Sequence, residues 1–224
     1  MFKTETHLHT KDTSPCGHLY AEEMVKLYKE AGYSTVFVSD HFQRSVLEGF
    51  GDLSWNDKVD RFLLGYENAK KAGEALDLTV LPAIELRLDE CINHYLVYGF
   101  DRQFLYDFNG RFDLTIEEFM PMAREKNLLV VQAHPYRDGK NLPRPELVDG
   151  FEVVNSNPRH NNFEDEMKVL AKNHGIYMTA GSDAHRYEDV AGAGMGSAEK
   201  IETAEDYIRL VRSGCGRLIK AEGV

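Results

Sequence analysis

Cysteine is scarce in this sequence. Three residues (Cys16, Cys91 and Cys215) make an odd number with no framework spacing, which argues against a fold stapled by disulfides. No apolar run approaches the ~20 residues that a membrane-spanning helix needs, so no membrane partner is expected. Positive charge is also in deficit. Lys and Arg number 26 against 37 Asp and Glu, a formal net charge of −11, and this excludes the broad basic stripe that extended nucleic acid requires. Internal repeats, low-complexity tracts and Pro/Ser-rich linkers are missing as well. The N-terminal Met-Phe-Lys-Thr-Glu-Thr-His carries no secretory pattern, so a cytoplasmic protein is expected.

What remains is an ordinary globular composition with 42% hydrophobic residues over 224 positions, enough for one domain spanning 1–224. Short apolar runs predict strands at 2–6, 35–39, 78–84, 94–100, 128–133, 150–155 and 176–180, with a weaker one at 217–220. Amphipathic stretches predict helices over 20–31, 57–76, 115–126, 161–174 and 203–212. Pro121 is expected to kink or delay the third of these. Strands alternating with helices favour a parallel α/β fold, and residues 78–100 read as a hairpin within it.

Histidine is plentiful and clustered, with nine residues in the chain. His7-Leu8-His9 and Asp183-Ala184-His185 have the i, i+2 spacing that puts two side chains on one face of a strand. Between them come Asp40-His41, Glu85, His94 and His134-Pro135, most directly after an apolar run. Imidazole and carboxylate are the donors of divalent transition metals. Donors at the C-terminal ends of parallel strands are where a barrel enzyme carries its chemistry. His160 and His174 match no motif, and His174, just before Gly175, reads as structural. Arg87, Arg137, Arg159 and Arg186 follow or neighbour these motifs and are candidates for gripping a phosphoryl group, because a guanidinium pairs two oxygens at once.

Taken together, His7-Leu8-His9-Thr10, Val38-Ser39-Asp40-His41, Ala83-Ile84-Glu85, His94-Tyr95-Leu96, Ala133-His134-Pro135 and Gly181-Ser182-Asp183-Ala184-His185 resemble the PHP (polymerase and histidinol phosphatase) family in content and order. The resemblance implies a distorted, TIM-like (β/α)7 barrel holding two to three divalent transition metal ions (Mn, Fe or Zn), and hydrolysis of a phosphoester in a small phosphorylated substrate. It implies a first metal position at His7, His9, Glu85 and Asp183. A second would share Glu85 and add His94 and His134, and a third would use His41 and His185. Catalytic roles then fall to Glu85, His41, Arg137 and Arg159. The chain departs from the family pattern twice. Glu5 stands where an Asp is usual, and the acid expected after the HxH pair is replaced by Ser14-Pro15-Cys16-Gly17, leaving Cys16 or His18 to complete the third position. An amidohydrolase acting on C–N bonds and a non-catalytic, metal-stabilised module are the competing readings. Glu85 in the bridging place, where amidohydrolases often use a modified lysine, favours the phosphoesterase.

Overall fold

Alternation of short buried strands with one-sided helices runs through residues 1–221, which the computed structural model describes. In chain order the elements are β1 (Phe2–Leu8), α1 (Ala21–Glu30), β2 (Thr35–Val38), β3 (His41–Phe42), α2 (Arg44–Glu48), α3 (Trp55–Phe62), α4 (Leu64–Leu76), β4 (Thr79–Leu86), β5 (Tyr95–Tyr98), α5 (Arg102–Phe108), α6 (Ile116–Glu125), β6 (Leu129–Gln132), β7 (Gly150–Asn155), α7 (Glu164–His174), β8 (Tyr177–Gly181), β9 (Ala193–Ser197), α8 (Ala204–Ser213) and β10 (Arg217–Lys220). Every residue of β2, β5, β6 and β7 is buried, as expected of strands covered on both faces.

The sheet runs β10-β9-β1-β2-β4-β5-β6-β7-β8, with β3 beside β4. Strands β1, β2 and β4 are mutually parallel, as are β6, β7 and β8, while β5 lies antiparallel to both β4 and β6. The two ends of the curl meet where Leu8 bridges Ala184. There the His9 amide donates to the Ala184 carbonyl (2.9 Å) and the Ala184 amide to the His7 carbonyl (3.2 Å). Thus β1, β2 and β4 to β8 form the distorted, nearly closed TIM-like barrel that was expected. At the other end of β1 the antiparallel β9–β10 pair, whose strands are joined through α8, extends the sheet, pairing Phe2–Thr4 with Met195–Ser197.

Three local expectations need correction. The helix expected over 57–76 is two helices that break at Leu63. Thr13 enters the gap, its hydroxyl donating to the Phe62 carbonyl (2.9 Å) and accepting from the Gly65 amide (3.2 Å). Pro121 does not delay α6, which starts at a complete Thr115/Glu118 capping box and runs through the proline on its exposed face. Strands β3 and β9 had no sequence signal; β9, Ala-Gly-Met-Gly-Ser, has little intrinsic strand preference and forms through its pairing with β1 and β10.

The core fixes the strand that carries His41. Phe42, the other residue of β3, packs edge-on against Phe62 and Phe108 and at a tilt against Phe112, with ring centroids 5.0, 5.5 and 5.4 Å away. Burying that ring contributes about 1.5–3 kcal/mol to holding the strand against β4. Among the described residues no helix is long and apolar enough to cross a membrane.

Candidate metal centre

The His7/His9 pair is aimed by an irregularity in β1. The register against β2 shifts between Glu5 and Leu8, and bulges of this kind redirect side chains at barrel rims. The backbone groups freed there are taken by Glu5. One of its oxygens accepts from the amides of Thr6 (2.8 Å), His7 (2.8 Å) and Ser182 (2.9 Å), and the other from the Tyr28 hydroxyl (2.7 Å). Glu5 is therefore a clasp between β1 and the end of β8. Gly181 makes the close approach possible, since a Cβ there would sit 2.6 Å from the His7 Cβ and 2.7 Å from a Glu152 oxygen.

Glu85, at the end of β4, is the shared member of the centre. His41 Nδ1 (2.6 Å) and His134 Nε2 (2.9 Å) approach it most closely, followed by His9 Nε2 (3.4 Å), His7 Nε2 (3.5 Å) and His94 Nδ1 (3.7 Å). Asp183 lies opposite, its Oδ1 at 3.3 Å from His9 Nε2 and 3.5 Å from His7 Nε2. Four sets of donors converge closely enough to share one ion each: His7–His9–Glu85, His7–His134–Asp183, Glu85–His94–His134 and His9–His41–His185. Within them His9 Nδ1 and His94 Nδ1 are buried without a hydrogen-bond partner. Buried polar atoms left unpaired are costly. Lone pairs of nitrogen and oxygen converging in this way fit divalent cations, and the donor set passes that test on its own chemistry.

Electrostatics divides the rings into two kinds. Burial opposes charge on His7, but Glu152, Asp183 and Glu85 outweigh it and raise its pKa well above the ordinary value. Burial likewise opposes charge on His41, and Glu85 overrides it to push the ring up to about 10. Burial, with repulsion from His185 and His41, holds His9 well below its usual value. His94 falls to about 3 through burial, with His134, His41 and Arg87 adding repulsion against the pull of Glu85. Burial and the nearby Arg137 lower His134. Burial would raise Glu85, yet His41, His94 and His7 keep it well below the carboxylate range, and Arg137 and His7 do the same for Asp183. Neutral rings offer lone pairs at once, whereas His7 and His41 hold protons that a metal must displace.

Outside the donor sets, sequence reasoning singled out Arg137 and Arg159 but missed Glu152. Glu152 on β7 accepts from His7 Nδ1 (2.9 Å), the His134 amide (3.0 Å) and Asn155 Nδ2 (2.8 Å). Its signal was present in retrospect: an acid in the middle of the otherwise apolar Gly-Phe-Glu-Val-Val. Arg137 donates to Asp183 Oδ2 (2.6 Å), Asn155 (2.9 Å) and Asn162 (3.0 Å), so it orients a candidate ligand. Arg159 forms a two-pronged pair with buried Asp189 (2.7 Å each), which also accepts from the amides of His185 and Arg186 (3.0 Å each).

His41, Glu85, His94, His134, Asp183 and His185 open on a cleft of about 350 Å³, with Cys16, His18, Arg137, Asn157, Arg159, His160 and Arg186 around its mouth. Arg87 is not brought there. β4 ends at Leu86, and Arg87 turns into a separate groove with Arg44 and Asp89. His160, which matched no motif, lines the cleft while bonded to Asp138 (2.8 Å). Cys16 is exposed as a residue but its thiol lies beside two of the rings. Burial of the sulfur raises its pKa, and hydrogen bonding to His185 and His41 outweighs this to bring it down to about 7.

Residues 162–215 match a family model described as PHP-associated. No curated protein matches the sequence. The fold is similar to that of a two-domain protein from Bacteroides vulgatus ATCC 8482 containing a predicted PHP-like metal-dependent phosphoesterase, with a TM-score of 0.70 and 14% identity over 99% of this chain and 65% of that one. PsfC from Pseudomonas syringae PB-5123 follows at TM-score 0.65 and 17% identity, covering 92% of this chain and 87% of that one. An amidohydrolase from Chromobacterium violaceum aligns at TM-score 0.63 and 14% identity over 98% of each chain. At such identities the structural likeness is one of fold; with the family-model match it supports PHP family membership.

Proposed function

We propose that this PHP-like chain is a metal-dependent phosphoesterase that hydrolyses a small phosphorylated metabolite. The observation that carries the reading is Glu85. It is one buried carboxylate, common to two donor sets and lining the cleft. Divalent cations held there would supply Lewis acidity toward the phosphoryl oxygens and lower the pKa of an attacking water.

The chain's own residues supply the rest. His7, His9, Glu85 and Asp183 would hold one ion, Glu85, His94 and His134 a second, and His41 and His185 part of a third. Arg186, whose nearest carboxylate (Glu188) is 3.9 Å away, is the cation at the mouth most free to meet a substrate oxygen. Arg137 and Arg159 can contribute positive field but are already paired. His41, at the cleft with its pKa near 10, can deliver a proton to a leaving oxygen when it is not bound to metal. A cleft of about 350 Å³ suits a small ligand and not a duplex.

The amidohydrolase reading keeps one support, the shared fold with the Chromobacterium violaceum protein. Against it, no lysine lines the cleft among the described residues, and Glu85 stands in the bridging place. The test is phosphate release by the metal-loaded protein across a panel of phosphorylated metabolites, with amide and cyclic C–N substrates alongside. Phosphate release that disappears, together with bound metal, in Glu85→Ala is the expected result. Turnover of C–N substrates alone, or a Glu85→Ala variant with full metal content and rate, overturns it.

A further inference from the structure

The leaving oxygen of an unactivated phosphoester needs a proton as its bond to phosphorus breaks. His41 can supply one only while it is unliganded, because its ring also belongs to the His9–His41–His185 donor set. The arginines at the mouth cannot, since a guanidinium keeps its protons. His160 lines the same cleft and belongs to no donor set.

Two turns hold its ring. In the turn after β6, Tyr136, Asp138 and Gly139 are all left-handed (φ +62°, +52° and +72°). Non-glycine residues at such angles are strained and collect at functional sites. Asp138 reaches across to the turn after β7. Its Oδ2 lies 2.8 Å from His160 Nδ1, and its Oδ1 accepts from the Asn161 amide (3.0 Å). The Asp138 amide donates back to the Asn161 carbonyl (2.8 Å). On the other side of His160, the Arg159 guanidinium is clamped to Asp189, and the His160 amide donates to the Asn157 carbonyl (3.4 Å). The Asn157 side chain donates to the Asp183 carbonyl (3.3 Å), which ties this turn to the metal centre.

An ionised Asp138 only accepts, so it fixes a proton of His160 on Nδ1 and leaves Nε2 as the nitrogen that exchanges one. The other charges around the ring are directed elsewhere or stand further along the mouth. Arg137 turns to Asp183 and Arg159 to Asp189, while His18 and Arg186 share the cleft. We propose that His160, oriented by Asp138, is the catalytic acid that protonates the leaving oxygen. The proposal rests on the phosphoesterase reading. The oxygen of a water bonds to phosphorus as the bond from phosphorus to the leaving oxygen breaks. The leaving oxygen keeps that electron pair and takes the Nε2 proton. The attacking water gives up a proton to solvent, and the neutral imidazole regains one from solvent; nothing is oxidised or reduced.

The experiment compares phenyl phosphate with para-nitrophenyl phosphate, whose leaving group needs no proton, on the metal-loaded full chain. His160→Gln should lower kcat on phenyl phosphate by about 100-fold or more, and on para-nitrophenyl phosphate by less than about threefold. Metal content should stay the same, because His160 lies in no donor set. The alkaline limb of the parent's kcat profile on phenyl phosphate should be missing in the variant. A second readout needs neither metal nor turnover. In the metal-free parent, nitrogen NMR of labelled histidine should find the neutral His160 ring protonated on Nδ1. Asp138→Ala should return it to the Nε2–H form that free imidazoles prefer. Equal losses on the two substrates, an undiminished rate on phenyl phosphate, or a neutral parent ring protonated on Nε2 overturns the acid role alone. A metal-loaded parent that releases phosphate from neither substrate, nor from the metabolite panel, overturns the phosphoesterase reading and the acid role with it.

Discussion

Glu152 touches no cleft, yet replacing it with glutamine should disable the first metal position. Its two oxygens accept from three donors, His7 Nδ1 on one side and the His134 amide and Asn155 Nδ2 on the other. A carboxylate only accepts, so His7 must carry a proton on Nδ1, and Nε2, which faces Glu85 and Asp183, is the atom whose proton a metal displaces. Glutamine has one accepting oxygen. If it serves His134 and Asn155, the amide N–H₂ points at His7 Nδ1 and drives the ring's proton to Nε2, the ligating atom. If it serves His7, the buried His134 amide loses its partner, a penalty of about 1–3 kcal/mol. Either way metal affinity should fall by roughly 10–100-fold, or about 1.4–2.8 kcal/mol. Competition for zinc against a chromophoric chelator measures the loss, and the melting temperature of the metal-free protein shows which amide orientation is adopted. An unchanged dissociation constant in a folded Glu152→Gln protein would refute the tautomer argument.

The two paired arginines should separate by assay. Arg137→Ala, which frees Asp183, should weaken metal binding as well as turnover, and an unaltered metal content would return Arg137 to a purely substrate-facing role. Arg159→Ala should lower stability by about 1–3 kcal/mol by stranding buried Asp189, less than the ~3–5 for a fully buried pair; the guanidinium side chain is 31% exposed, and thermal melting checks the change. Metal uptake at neutral pH should release protons, because His7 and His41 are held protonated by Glu152, Glu85 and Asp183. The sign follows. Affinity rises with pH, and in the metal-free protein the stabilising His41–Glu85 attraction is fully present below about 6.5 and is lost as pH climbs through about 10. Zinc addition to weakly buffered protein with no pH drop would contradict this.

The donors were legible because histidine and acid at strand ends are rare enough to stand out, and the i, i+2 spacing has one geometric meaning. His7, His9, Glu85, His134, Asp183 and His185 converge for that reason. What supports them was not legible. Asn155 and Asn162 look like loop residues, and Asp189 looks like a surface acid, until β7 and the turn after β8 bring them to Arg137 and Arg159. The break at Leu63 is marked only by Gly65 just beyond it, and its cause is Thr13, about fifty residues earlier. Strand β9 arises from a partner at the other end of the chain. Local pattern reports local chemistry; the break at Leu63 and strand β9 depend on contacts distant in sequence.

Two of the candidate ligands, His134 (φ +32°) and Asp183 (φ +52°), sit in left-handed backbone that non-glycine residues seldom adopt. Each such residue carries about 1–3 kcal/mol of strain, and glycine would fit either position with less. The chain therefore faces a conflict wherever it gains stability by drift, because the substitution that relaxes each turn also deletes a metal donor. Directed evolution for heat resistance alone, with no demand for metal, should converge on glycine at 134 and 183. Selection that includes metal binding should hold both side chains in place and find its stabilising changes elsewhere.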